Sequence, residues 1–267
     1  MPDAPLISAI VLNYRTPQHA VRCVQALQAQ TIADQIEILV VDNNSEDDSI
    51  GVLRNHFMQN ERVRIIETPE NLGYGKGNNF AARYAKGNYI FIINPDNVLE
   101  PTGLEKMIQL LESDESIGIV APQLAFNDGY IRDSYRPFPS IWESMLRRIC
   151  HKCVDTRYSK PKSHELKRQD VDWVVGACFL IHRDLFRSLG GFDDRFFLFF
   201  EDMDLCRRCW QLHKRVVFEP TVKAIDKKSR LSGGGLLPLL LKSVGRQHVV
   251  SALQYFWKWR GKSASFR

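Results

Sequence analysis

A chain of 267 residues with 44% apolar and 25% charged residues has the composition of one globular domain, or of a domain with a sub-domain, and excludes a fibrous or disordered protein. The longest apolar candidate, 236–241, is six residues and includes Pro238, far below the roughly 18–20 apolar residues of a membrane span, so a transmembrane protein is not expected. The net charge of +5 hides an asymmetry: from Met203 onward there are 14 Lys and Arg against 3 Asp and Glu, whereas the preceding 202 residues carry 22 basic and 28 acidic side chains.

Residues 6–12 form a short apolar run with β-branched members, as expected of a buried parallel strand, and Pro17 is well placed to open a helix over 19–30. A second strand is expected at 37–41, a helix over 49–57, a third strand at 63–66 and a fourth at 89–93. Between the last two, residues 71–79 read as a glycine-rich loop leading into a helix through Tyr84. Four apolar strands alternating with helical segments indicate a βαβ arrangement around a mostly parallel sheet. The polar segments that end strands at Asn13, Asp42 and Asp96 then converge beyond the carboxyl ends of the strands, where open α/β sheets bind ligands.

After 119–122 the pattern changes. Asn127-Asp128-Gly129 has hairpin-turn chemistry, and 127–170 is expected to be a mobile insertion. Order returns at 171–181, followed by a helix from Asp184, an aromatic run at 196–200 and a helix opening with Glu201-Asp202. Two cysteine pairs, Cys150/Cys153 and Cys206/Cys209, have C-x-x-C spacing, but 52 residues separate them, unlike a zinc ribbon, and reduced packing thiols are the expectation.

Asn13-Tyr14, Val40-Val41-Asp42-Asn43-Asn44-Ser45, the 71–79 segment, Asn94-Pro95-Asp96-Asn97, Gly176–Ile181 and Gly190–Asp193 through Glu201-Asp202-Met203-Asp204-Leu205 occur in one order. That ordered set resembles an inverting glycosyltransferase of family 2, over roughly residues 6–225. The Asn-Pro-Asp version and the Glu-Asp-x-Asp-Leu-Cys-x-Arg helix are similar to its rhamnosyltransferase-like branch. The resemblance implies the α/β GT-A nucleotide-diphospho-sugar transferase fold, with flanking helices and a C-terminal helical extension. The catalytic domain is then 1–230, its nucleotide-sugar half 1–122 and its acceptor half 123–230, with the extension at 231–267.

By the same resemblance, Asp42 accepts the ring N–H of the nucleotide base, Asn13, Tyr14 and Asn44 line that pocket, and Asn94 and Asp96 stand beside the diphosphate. Gly75 and Asn78 belong to the glycine-rich segment, where backbone can approach a phosphate, and Lys76 adds charge. Trp173 and Gly176 fall on the acceptor side. Asp202 is the implied base and Glu201 orients the acceptor. A leaving diphosphate favours Mg²⁺ or Mn²⁺ on carboxylate oxygens, with Asp96 as a ligand. The histidine that often completes the family's metal site is missing after the last strand; Asp226 stands there instead, followed by Lys227 and Lys228. The implied donor is a nucleotide sugar, with dTDP-rhamnose first and UDP-galactose or a UDP-N-acetylhexosamine as alternatives, and the implied acceptor is a glycan or lipid-linked hydroxyl.

The basic end mixes Trp257, Trp259 and leucines with Lys and Arg over 236–262, the composition of an interfacial helix on an anionic membrane surface. Packing on the body or in a homodimer is the alternative. A nucleic-acid partner is not expected, because ordered aromatic platforms on a basic face are not evident in the body. The N-terminal residues lack a basic-then-apolar leader, so the expected location is cytoplasmic, peripheral on the inner membrane face if the basic end binds lipid.

Overall fold

The computed structural model describes residues 5–127, 130–139, 167–226 and 243–262. Strands β1 (Ile7–Asn13), β2 (Ile36–Asp42), β3 (Val63–Glu67) and β4 (Tyr89–Ile93) pair in parallel in the order β3-β2-β1-β4. Strand β10 (Cys178–His182) joins β4 antiparallel, and β6 (Ile117–Phe126), β11 (Arg215–Asp226) and β5 (Asn97–Leu99) extend the sheet beyond it. Strand β8 (Gln169–Asp170) pairs with β11 to complete it, and β7 (Tyr135–Arg136) with β9 (Trp173–Val174) forms a separate two-stranded sheet.

Strand β1 is buried on both faces, and its alternation divides the core. Ile7, Ala9 and Val11 face a cluster with Val24 and Leu27 of α1 (Pro17–Gln28), Leu53 of α2 (Ser49–Phe57) and Met107 of α4 (Gly103–Ser113). Ile10 and Leu12 face the other cluster. It contains Ala81 of α3 (Gly73–Ala82), Phe186 of α5 (Arg183–Ser188), Leu205 of α6 (Glu201–Gln211), and Tyr255 of α7 (Ser243–Lys258). The result is an α/β/α sandwich in which α6 and α7 share a layer with α3.

One expectation is corrected. Residues 73–79 are the first turns of α3, not a loop. Their glycines serve close packing: a Cβ on Gly75 would lie 3.0 Å from Phe192 Cβ, and one on Gly77 would lie 2.8 Å from Leu12 Cδ1. Glycine costs helix propensity, so tertiary packing has won here. Within the described parts of 127–170, Tyr130 O accepts the Phe126 N–H (2.8 Å) and β7 and β8 pair with other strands. Residues 140–166, with Cys150 and Cys153, lie outside the described residues. Cys206 and Cys209 are buried free thiols on α6, their pKa values raised by burial, and no cluster of three metal-ligating side chains exists among the described residues.

The basic end folds onto the body. Tyr255 is fully buried and Trp259 nearly so. Lys258 Nζ lies 2.6 Å from both Asp193 and Asp204, and the Trp259 indole N–H donates to Asp204 at 2.9 Å. Arg207 Nη1 donates to the Tyr255 hydroxyl at 3.2 Å, and its guanidinium lies 4.4 Å over Trp259. The 227–242 part of the expected extension lies outside the described residues. No helix among the described residues is long and apolar enough to cross a membrane.

Candidate active site

The register of β1 sets Asn13 opposite Asp42 at the carboxyl edge of the sheet. Asn13 Nδ2 donates to Asp42 Oδ1 at 2.7 Å, while Ser45 gives its hydroxyl to Oδ1 (2.6 Å) and its N–H to Oδ2 (3.0 Å). Asp42 therefore organises its own turn, as Asp in such a position does, and Oδ2 retains accepting capacity. Around this turn Arg15, Asn44 and Glu46 have φ of 58°, 54° and 54°, left-handed values that non-glycine residues adopt under constraint. Tyr14 is 40% exposed beside the turn, with the Arg15 guanidinium 5.1 Å from its ring.

A continuous set of contacts joins this edge to the carboxylates of α6. Asn43 N–H donates to Asn13 O (2.8 Å), and Asn43 Nδ2 donates to Gly73 O (3.1 Å) at the start of α3. The next residue, Tyr74, donates its hydroxyl to Gly176 O, and Gly176 N–H donates to Asp202 Oδ2 at 2.8 Å. On the neighbouring strand end, Asn94 N–H donates to Ala177 O at 2.8 Å, which sets the Asp96 turn against the Gly176 segment. The Tyr74 phenol is held well above its ordinary pKa by burial first, then by the charges of Glu201, Asp202 and Asp96 among its surroundings. These carboxylates thus share one electrostatic neighbourhood.

Within it each acid is biased toward its neutral form. Asp202 is raised by burial, against the N–H groups of Gly176 and Met203 and the positive Arg136, which favour its anion. Glu201, 5% exposed, is raised well above the usual carboxylate range by burial and by the adjacent Asp202. Its Oε2 has no hydrogen-bond partner among the described residues, and the same is true of Asn78 Oδ1 and Asn97 Oδ1. Buried polar atoms without partners are rare, and each needs a reason.

Asp96 is likewise raised by burial, opposed by Arg132 and His19. It borders a cavity of about 220 Å³ that His19, Arg22, Asn127 and Ile225 also line. The register places Asp226 opposite Asn97, one residue from Asp96. The Asp96 carboxylate and the Asn97 side-chain oxygen, which has no hydrogen-bond partner among the described residues, are a hard-oxygen set. That set suits Mg²⁺ or Mn²⁺ if the nucleotide phosphates supply most of the other ligands.

Other expected residues are placed differently. Trp173 is buried, its indole N–H donates to Pro137 O at 3.0 Å, and Arg136 lies 6.0 Å over the ring, so it is not an open stacking face. Asn78 Nδ2 bonds Tyr74 O at 3.0 Å within α3, and Gly75 stands in the first turn of that helix, whose N–H groups have no acceptor one turn earlier in the helix. Lys76 projects from α3 half-buried. Gly176 is needed for fit: a Cβ there would lie 3.0 Å from Asp202 Cβ. The sequence reading passed over Tyr74, Asn43 and Arg136. For Tyr74 the available signal was an aromatic set between two helix-packing glycines.

The family model for glycosyl transferase family 2 matches residues 8–190. A relative from Mycobacterium tuberculosis, N-acetylglucosaminyl-diphospho-decaprenol L-rhamnosyltransferase, is 24% identical over 243 residues, 85% of this chain and 78% of its own. The O-antigen biosynthesis protein RfbC of Myxococcus xanthus is 27% identical over 88% of this chain, which spans only 18% of that protein. Among solved structures, mannosyltransferase PcManGT from Pyrobaculum calidifontis, with GDP-Man and Mn²⁺, has a TM-score of 0.63 at 19% identity over 98% of this chain and 68% of its own. GalNAc-T7 with UDP, GalNAc and Mn²⁺ has a TM-score of 0.65 at 16% identity, over 88% of this chain and 46% of that one. The two structures establish the shared GT-A-like fold, and the family match covers well over half of the sequence. The chain belongs to glycosyl transferase family 2.

Proposed function

We propose that this glycosyltransferase moves L-rhamnose from dTDP-rhamnose, with inversion at the anomeric carbon, to a hydroxyl of a glycan or lipid-linked acceptor in surface-polysaccharide synthesis. The rhamnosyltransferase name of the M. tuberculosis relative and the O-antigen role in the name of the M. xanthus relative support the sugar and the setting. What supports the reaction type is the path of contacts from Asp42 through Asn43, Tyr74 and Gly176 to Asp202, which links the Asp42 turn to a buried carboxylate.

In this reading the free capacity of Asp42 Oδ2 accepts the base N–H, and Asn13, Tyr14 and Asn44 shape that pocket. Lys76 faces the diphosphate. The Asp202 carboxylate takes the proton of the acceptor hydroxyl as its oxygen bonds to the anomeric carbon; the bond to the diphosphate breaks, and the nucleoside diphosphate leaves with that electron pair. Glu201 Oε2, without a partner among the described residues, bonds the acceptor. Asp96, with Asn97 beside it, would hold Mg²⁺ or Mn²⁺. That cation supplies charge neutralisation to the diphosphate.

A lipid-linked acceptor fits the outer face of α7. Arg246, Val250, Leu253, Trp257 and Arg260 recur there at helical spacing, with Leu253 67% and Trp257 68% exposed and Arg260 stacked 3.7 Å from the Trp257 ring. An apolar stripe between cations suits anionic lipid headgroups, and the excess of basic residues after Met203 adds to it.

Melting curves across dTDP-rhamnose, UDP-galactose and UDP-N-acetylglucosamine, with and without Mn²⁺, test the donor. The true donor at 100 times its dissociation constant should stabilise the fold by about 2.7 kcal/mol, and Asp96→Ala should abolish the Mn²⁺-dependent part. Asp202→Asn should lower kcat by roughly 10²–10⁴-fold while leaving that stabilisation intact; undiminished turnover refutes the base assignment. Since Asp202 works ionised and burial raises its pKa, activity should fall with decreasing pH on a limb lying above the ordinary aspartate value of about 3.9. Arg136→Met removes a charge that favours the anion, so the limb should move further up in pH. Flotation with vesicles containing phosphatidylglycerol should carry the protein, whereas Trp257→Ala, Leu253→Ala and neutral phosphatidylcholine vesicles should each reduce recovery. Burial of this stripe in a dimer, seen by sedimentation, overturns the lipid reading.

A further inference from the structure

Helix α6 begins from a strained lead-in. Phe199 and Phe200 are consecutive non-glycine residues in the left-handed region, each with φ 71°. Bulky side chains adopt such values only where their surroundings over-determine them, and such strain gathers at functional sites. Phe200 is the cap of α6, its carbonyl accepts the Asp204 N–H at 2.9 Å, and the next two side chains are Glu201 and Asp202.

The constraint on this pair comes from α7. Ser251, fully buried, donates its hydroxyl to Leu198 O at 2.8 Å. The His248 ring lies 4.9 Å from the Phe199 ring and 5.2 Å from the Phe200 ring, and Tyr255 packs 5.5 Å from Phe200. Helix α7 is itself locked down by Lys258 on Asp193 and Asp204 and by Trp259 on Asp204. At the other end of the lead-in, Phe197 O accepts the Tyr74 N–H at 2.8 Å, so the same turn also seats the tyrosine whose hydroxyl reaches Gly176. Both α6 and α7 lie beyond residue 190, where the family match ends.

We propose that α7 is a positioning element for the transfer step: Ser251 and His248 hold the left-handed Phe199–Phe200 turn, and through it aim the Asp202 carboxylate at the rim. The inference rests on Asp202 being the base. Neither residue touches substrate; both act through the turn. The donor turns at Asn13 and Asp42 belong to β1 and β2, on the parallel half of the sheet, so losing the constraint should affect the chemical step and spare donor binding.

The test uses the full chain with Ser251→Ala, His248→Ala and His248→Phe, and the nucleotide sugar that stabilises the wild type most. Ser251→Ala and His248→Ala should each lower kcat on the order of tenfold, since small misplacements of a reacting group are costly. The KM for the donor should stay unchanged. His248→Phe, which keeps a ring against both phenylalanines, should retain most of the wild-type rate. Hydrogen exchange gives a readout independent of turnover: the amides of Asp204 and Tyr74, which bond Phe200 O and Phe197 O, should exchange faster in both alanine variants. Unchanged kcat, an equal loss of kcat and donor affinity, or unaltered exchange at these two amides overturns the proposal. If His248→Ala does not fold, Ser251→Ala alone decides. Turnover retained in Asp202→Asn refutes the base assignment instead, and the exchange result still judges the constraint on the turn.

Discussion

The bond from the Gly176 amide to the Asp202 carboxylate is the point on which the site turns. Burial pushes the acid toward its neutral form, while two backbone N–H groups and a nearby guanidinium pull it toward the anion. A base for a hydroxyl works best when these influences nearly balance, because it must be ionised yet still hold a proton. The amide is available only because residue 176 is glycine, since any side chain there would meet Asp202 Cβ. Tyr74 fixes the other side of the same peptide segment, so two contacts set both the position and the poise of the acid.

Glu201 completes the arrangement by contrast. It is next to Asp202 in sequence, and burial and its neighbour's charge bias it too toward its protonated form, but its Oε2 has no partner among the described residues whereas the Gly176 amide holds Asp202. Two adjacent carboxyls are thus differentiated by surroundings, as a division of labour between a proton acceptor and an orienting group requires. Because the pair is coupled, its titration belongs to both acids together.

Much of this was legible in the sequence because strands buried on both faces are short apolar runs, and β1 to β4 lie within a residue or so of their expected positions. The strand end at Asp42 was equally readable, and there the Ser45 N–H donates to the Asp42 carboxylate. The glycines of α3 were misread for a physical reason: local propensity argues for a loop, but the contacts with Leu12 and Phe192 that require a missing side chain come from distant parts of the chain. Tyr74 and Arg136 were invisible for the same reason, as their partners are set by tertiary neighbours. The Cys206 and Cys209 spacing reflected one helix face packing into the core. The basic end was read mainly for its outer, cationic character, whereas Tyr255 and Trp259 anchor it inward.

Strand β10 sits in the middle of the sheet, between β4 and β6, although it begins about 85 residues after β4 ends. The parallel strands made early and the β6–β11 half therefore have no direct hydrogen-bonded seam of their own. Until residue 182 leaves the ribosome, β4 has an open edge and the two halves cannot be zipped together. Synthesis of this chain thus passes through a long interval with an apolar border exposed, in which chaperones or neighbouring nascent chains compete for it.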